Sequence, residues 1–170
     1  DASAGTTITF EASVFPVGAP VTISLSSALP PLSGGNVTID ASGAGVILDG
    51  ANLSGEETYG LEITSSDNRI LGLEMVSFQG AAIGIQDGAS GNLVAENVLG
   101  GSGSIGVRIW GADAVSNTVR DNRIGMDRAG QVAGNLDRDG VHVYQAVGNV
   151  ITHNHIAALG QSGVYMCCGA

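Results

Sequence analysis

The sequence predicts an all-β solenoid, a parallel β-helix of about seven turns in one domain spanning 1–170. Three observations predict it. Short alternating apolar segments recur at intervals of 22 to 24 residues, with one longer gap. Gly, Asn, Ser and Asp punctuate these segments, and Gly alone supplies 27 of the 170 residues. Asn returns at a near-constant place behind each segment.

The first strands are TITF (7–10), VTISL (21–25), NVTID (36–40) and GVILDG (45–50), and they belong to less regular turns over 1–58. Regular repeats fill 59–170. A Gly- or Ala-led tetrapeptide opens each: GLEI (60–63), AIGI (82–85), GVRI (106–109), GVHV (140–143) and GVYM (163–166). The starts lie 22, 24, 34 and 23 residues apart, so the long interval holds a loop insertion, near 126–139. Helical spacing is poor and Gly weakens any helix. Each repeat is too short to bury its own apolar face, so neighbours must stack on a shared core. The Leu ladder of a leucine-rich repeat is absent.

Period-two alternation assigns the faces. Leu61/Ile63, Ile83/Ile85, Val107/Ile109, Val141/Val143 and Val164/Met166 point inward on the first strand. Ile70/Met75, Val94/Leu99, Val119/Ile124 and Ile151/Ile156 do so beyond it. Asn68, Asn92, Asn117 and Asn149 follow the tetrapeptides, and Asn97, Asn122 and Asn154 stand five residues after the last three. They are read as structural corners, because Asn tolerates left-handed backbone and stacked amides bond to one another.

Composition narrows the function. Sixteen acidic side chains against six basic ones, all Arg, give a net charge of −10. That excess repels phosphates, which argues against nucleic acid. No apolar run is long enough to span a membrane. Cys167 and Cys168 are adjacent, and one pair builds no disulfide framework and no zinc site. A vicinal disulfide, two free thiols or lateral crosslinking remain open, with Cys167 outward and Cys168 inward by alternation. The opening at Asp1 reads as that of a processed product or of a piece of a longer β-helix.

These residues carry a resemblance. The repeats, with NRIGMDRAGQVAGNLDRDGVHV (122–143), TTITFEASVFP and IDASGAGVILDGANLSG, resemble right-handed parallel β-helix proteins of the pectin-lyase-like superfamily, of the secreted or cell-surface bacterial type. The resemblance implies a right-handed coil and an extracellular or cell-surface setting. It says little of function, because this fold serves many activities. The Asn-Thr-Asp, Asp-Asp and Gly-His-Gly motifs of polygalacturonase-like hydrolases are missing: Asn117-Thr118 is followed by Val119. The chain therefore leans away from being an enzyme.

Outward columns offer candidate sites. Glu62, Gly84, Arg108, His142 and Tyr165 form one, and Thr64, Gln86, Trp110, Tyr144 and Cys167 the next. Arg108, Trp110, His142, Tyr144 and Tyr165 are thus a candidate ligand or partner surface, for a polysaccharide or another protein, unless the insertion covers it. Glu96, Asp121 and His153 stand beside Glu74, Val98, Arg123 and His155. Asp121 with His153 is a weak acid–base candidate and Arg123 a binder of acidic sugar, against the alternative of a solvated ion-pair ladder. Asp137 and Asp139, with Asp127 nearby, resemble half a calcium loop, although an Asx turn explains them as well. No other cofactor is implied. Asn36 and Asn52 match the N-glycosylation pattern.

Neither end reads as capped. The expectation is therefore a structural module, a rod in an adhesin-like surface protein or a head-to-tail filament subunit, joined end to end or to flanking β-helix turns. The alternative is a carbohydrate-binding or polysaccharide-cleaving domain on an outward sheet.

Overall fold

The computed structural model describes residues 4–55, 58–101, 105–132, 137–157 and 159–169. The first coil holds β1 (Thr7–Thr9) and β2 (Val21–Ser24). The second holds β3 (Thr38–Asp40), β4 (Val46–Asp49) and β5 (Leu61–Ile63), and the third β6 (Arg69–Leu71), β7 (Glu74–Val76) and β8 (Ala81–Ile85). The fourth holds β9 (Leu93–Ala95), β10 (Val98–Gly100) and β11 (Ile105–Trp110). The fifth holds β12 (Thr118–Arg120), β13 (Arg123–Ile124) and β14 (Val141–Tyr144), and the sixth β15 (Val150–Thr152), β16 (His155–Ile156) and β17 (Val164–Cys167).

Each strand pairs in parallel with the equivalent strand one coil on, which is what a chain rising one rung per turn must do. Three sheets result. The first runs β1-β3-β6-β9-β12-β15, the second β2-β4-β7-β10-β13-β16 and the third β5-β8-β11-β14-β17. Leu32 adds the first coil to the third sheet through a parallel bridge to Ile63. Six coils are thus described, close to the expected number.

The inward columns follow the alternation. Ile63, Ile85, Ile109 and Val143 are in register and all 0 % exposed, as are Ile70, Val94 and Val119. Burying such side chains is worth roughly 1.5–3 kcal/mol each and is the main stabilising term. The last coil departs from this. Val164 and Met166 hold the same inward register but are 42 % and 55 % exposed, because no further described coil stacks upon them.

The lead positions of the tetrapeptides, Gly60, Ala82, Gly106, Gly140 and Gly163, form a column that is one of close approach at Gly60, Gly106 and Gly140. A Cβ on Gly106 would lie 2.6 Å from both the Gly140 carbonyl oxygen and Ile124 Cγ2. One on Gly140 would lie 2.6 Å from the Gly163 oxygen. Small residues recur there because the next rung's backbone occupies the space.

The two Asn columns are buried amide ladders. Asn68 Nδ2 donates to Asn92 Oδ1 at 2.9 Å, Asn92 to Asn117 at 2.9 Å and Asn117 to Asn149 at 3.0 Å. Asn97 donates to Asn122 at 3.0 Å and Asn122 to Asn154 at 2.9 Å. Each Oδ1 also accepts the backbone N–H one coil back, so Val37 and Leu73 head the ladders through their amides. The left-handed backbone is not on the Asn residues, as the sequence suggested, but on the residue before each. Asp67, Gly91, Ser116 and Gly148, and Glu96, Asp121 and His153, have φ between 53° and 69°. That residue makes the turn, which leaves the Asn free to aim its amide along the axis.

The insertion bears on the alternative left open for the aromatic face. Residues 133–136 lie outside the described residues. Before them, Met126 bridges Val132, Arg128 pairs with Glu74, and Arg128 Nη2 donates to the Val46 carbonyl at 3.1 Å. The described first part of the insertion, 126–132, therefore lies over the second sheet, to which its anchors Glu74 on β7 and Val46 on β4 belong, while Arg138 and Asp139 at its end reach the Trp110–Tyr144 face of the third.

Candidate functional site

The outward face of the third sheet brings the first candidate set together. Arg108, His142 and Tyr165 are cross-strand partners on β11, β14 and β17, and so are Trp110, Tyr144 and Cys167. Trp110 and Tyr144 stack with ring centres 4.4 Å apart, and the Arg108 guanidinium lies 4.1 Å from the Trp110 ring centre. Tyr165 meets His142 edge-on at 4.9 Å. The rings thus spend faces on one another, where sugar stacking would need them open. Arg108 Nη1 also donates to the Tyr59 hydroxyl at 2.9 Å. Tyr59 was not foreseen. The signal for it was Gly84, the gap in the outward column, because a Cβ there would sit 2.9 Å from the Tyr59 ring.

Together with Ile105, Arg138, Asp139, Gln161 and both cysteines, these residues line a cleft of about 360 Å³. At its base lies an acid–imidazole pair that the sequence reading separated. Asp139, 1 % exposed, sets Oδ2 3.0 Å from His142 Nδ1 and accepts the Ser162 amide on Oδ1 at 3.2 Å. The carboxylate fixes the proton on Nδ1 and leaves buried Nε2 without a hydrogen-bond partner. Calcium is consequently a poor fit here: Asp139 is buried with both oxygens engaged, whereas Asp137 is exposed.

Burial holds the His142 pKa below its ordinary 6.5, against the opposing pull of Asp139. The unfolded chain then takes up a proton before the folded one does. Stability is full above about pH 6.5 and falls as pH drops from there through the folded value. Urea midpoints measured across this range should fall more steeply in the wild type than in His142→Gln. Parallel curves would contradict the assignment.

Cys167 and Cys168 do not alternate. Cys168 has φ 65°, matching Gly111 and Gln145 at the same corner of earlier coils, and this turns its thiol to the outward side. Its Sγ donates to Cys167 Sγ at 2.8 Å. The Tyr144 hydroxyl bonds Cys168 and that of Tyr165 bonds Cys167, which raises both phenol pKa values. Hydrogen bonding to Cys167 likewise raises that of Cys168.

The second candidate set gathers in a groove of about 560 Å³ lined by Glu96, Asp121, Arg123, His153 and His155. Asp121 and His153 sit at the corner between the first two sheets, not on a strand, because both have positive φ. Each is committed elsewhere. Asp121 pairs with Arg120, His153 Nδ1 lies 2.9 Å from Thr152 Oγ1, and Arg123 donates to the Arg128 carbonyl at 2.8 Å. The groove therefore holds no formed acid–base pair among these residues. Asn36 and Asn52 are exposed.

The sequence profile of one family, described as periplasmic copper-binding protein (NosD), matches residues 33–170. The chain belongs to that family. NosD proteins are right-handed parallel β-helices of the pectin-lyase-like type, and the three all-parallel sheets agree. Membership places the chain among exported β-helix proteins. No match was found among curated proteins or among solved structures. No helix among the described residues is long and apolar enough to cross a membrane.

The NosD description names copper, which tests the donor chemistry. No group of three or more His, Cys, Asp or Glu side chains is gathered for a metal among the described residues. A many-liganded dication therefore lacks a cage. The two adjacent sulfurs lie 2.8 Å apart, so metal–sulfur bonds of about 2.3 Å to both would enclose an angle far narrower than a two-ligand ion takes, and the described residues do not fit the copper that the family description names.

Proposed function

We propose that this chain is a structural β-helix module, a rod element of an extracellular or cell-surface protein whose coils continue by end-to-end stacking. One observation carries the reading. The inward columns run in register from coil to coil and the amide ladders from the third coil to the sixth, yet Val164 and Met166 stand open in the last described coil while their partners Val141 and Val143 are 0 % exposed. A further coil of the same register, from flanking turns or from a second copy, is the natural cover for that face. The unpaired strand edges of β15, β16 and β17 would supply its hydrogen bonds.

Light scattering and negative-stain microscopy of the purified chain test this. End-to-end association into rods, weakened by Met166→Asp, is the expected result. Monomers that resist Met166→Asp without loss of stability would overturn it. The Arg- and aromatic-lined cleft supports carbohydrate binding as the second reading, with Arg108 and Arg138 suited to an acidic sugar. Retention on acidic polysaccharide, lost in Arg108→Ala and without cleavage, would favour that instead.

A further inference from the structure

We propose that Cys167 and Cys168 form a redox site, a vicinal pair that closes reversibly into a disulfide by exchange with a low-molecular-weight disulfide. The inference goes beyond the rod reading and does not depend on it.

Adjacent residues on a strand send their side chains to opposite faces, so two neighbouring cysteines ordinarily do not meet. Here the left-handed turn at Cys168 cancels the alternation and brings the sulfurs 2.8 Å apart on the outward side. A disulfide holds its sulfurs at about 2.05 Å, so closure needs a movement of less than about 1 Å. The turn is fixed by the fold, because Gly111 and Gln145 take it at the same corner of the two coils before. Cys168 is exposed and Cys167 half-buried, so both sulfurs can be reached at the rim of the third-sheet cleft. Membership of an exported family adds the setting, since thiols outside the cytosol meet disulfide oxidants.

The surroundings assign the steps. Hydrogen bonds converge on Cys167, from Cys168 Sγ and from the Tyr165 hydroxyl, and mark it as the attacking sulfur. Arg108 and Arg138 line the same cleft and favour the thiolate that must form. The Cys167 thiolate attacks one sulfur of the incoming disulfide, breaks its S–S bond and releases one thiolate. Cys168 then gives up its proton and attacks Cys167 Sγ, which expels the second thiolate. The protons of the two cysteines pass to the two released thiolates, and two electrons pass from the cysteine pair to the incoming disulfide. The product is readily reversed. Cα atoms joined by a trans peptide stand about 3.8 Å apart, whereas disulfide-bonded residues ordinarily stand about 4.4–6.8 Å apart, and the resulting strain makes the bond more reducible. Closure also reaches the aromatic face. The Tyr144 and Tyr165 hydroxyls lose their thiol partners, and Tyr144 stacks on Trp110, the single tryptophan of the chain.

The test is anaerobic incubation of the reduced chain with excess oxidised glutathione, followed by acid quenching, iodoacetamide and mass spectrometry. The expected product is a monomer lighter by two hydrogens that takes up no iodoacetamide, and dithiothreitol should restore both thiols. Trp110 emission should change on oxidation, recover on reduction, and stay constant in the double variant Cys167→Ser, Cys168→Ser. Cys168→Ser alone should stop at a glutathione adduct on Cys167, because the resolving sulfur is gone. Far-ultraviolet dichroism checks the fold of the variants, and the wild-type mass serves if one misfolds. Wild-type thiols that both remain open to iodoacetamide, a stable glutathione adduct on each cysteine, or a covalent dimer in place of the ring would each overturn the proposal.

Discussion

Replacing Asn117 by Ala is expected to lower the stability of the chain by about 4 kcal/mol, since each buried polar group left unpaired costs about 1–3 kcal/mol. Asn117 is 0 % exposed and serves neighbours on both sides. Its Oδ1 accepts both the backbone N–H and Nδ2 of Asn92, each at 2.9 Å. Its Nδ2 donates to the Ala89 carbonyl and to Asn149 Oδ1, each at 3.0 Å. Truncation strands the Asn92 amide and the Ala89 carbonyl where water does not reach. Against a typical total of about 5–15 kcal/mol this is a large fraction. Asn154 ends its ladder at the half-buried last described coil, where water can substitute, so Asn154→Ala should cost clearly less. Exposed Asn52→Ala should fall within about 0.5 kcal/mol of wild type. Urea unfolding of the three variants reads the ranking, and equal losses at Asn117 and Asn154 would refute the ladder account.

The second large effect is expected at Gly106. A valine there sets Cβ 2.6 Å from the Gly140 carbonyl oxygen and adds two methyl groups beside Ile124, so the two rungs must separate. Overpacking of this kind costs about 1–3 kcal/mol, and the backbone contact puts Gly106→Val at the upper end. Alanine is a milder case, because Ala82 already occupies this column and is 7 % exposed. Gly106→Ala should therefore cost about 1–2 kcal/mol, less than valine because it adds no further methyl groups, although its Cβ meets the same backbone oxygen. Urea midpoints of the two variants decide the matter; indistinguishable values would mean that the close approach does not constrain the residue.

Both effects rest on positions that the repeat made legible. Gly60, Gly106, Gly140 and Gly163 stand out as tetrapeptide leads, and the Asn columns stand out by spacing alone. Alternation gave the correct register for every outward pair tested by the sheets, Arg108 with His142 and Trp110 with Tyr144 among them. It failed where the backbone leaves the strand. Asp121, His153 and Cys168 have positive φ, so counting by twos assigned them to the wrong place or face. The side-chain partners were not legible either. Arg123 turns to a loop carbonyl, Arg128 crosses to Glu74, and Asp139 turns inward to His142. These are choices among several reachable partners, which a linear pattern does not rank.

The sequence by itself determined the solenoid, its coil length, its inward columns and its amide ladders. Each of these repeats, and every repeat restates the same local preference for apolar alternation, a small lead residue and a trailing Asn. Tertiary structure alone decided the cleft. It required the Gly84 gap to be filled by Tyr59, Arg128 to anchor the described start of the insertion on the second sheet while Arg138 and Asp139 reach the third, and one corner turn to set two thiols side by side. Those features occur once, at contacts between residues far apart in the chain or at a single non-repeating dihedral, so no periodicity announces them.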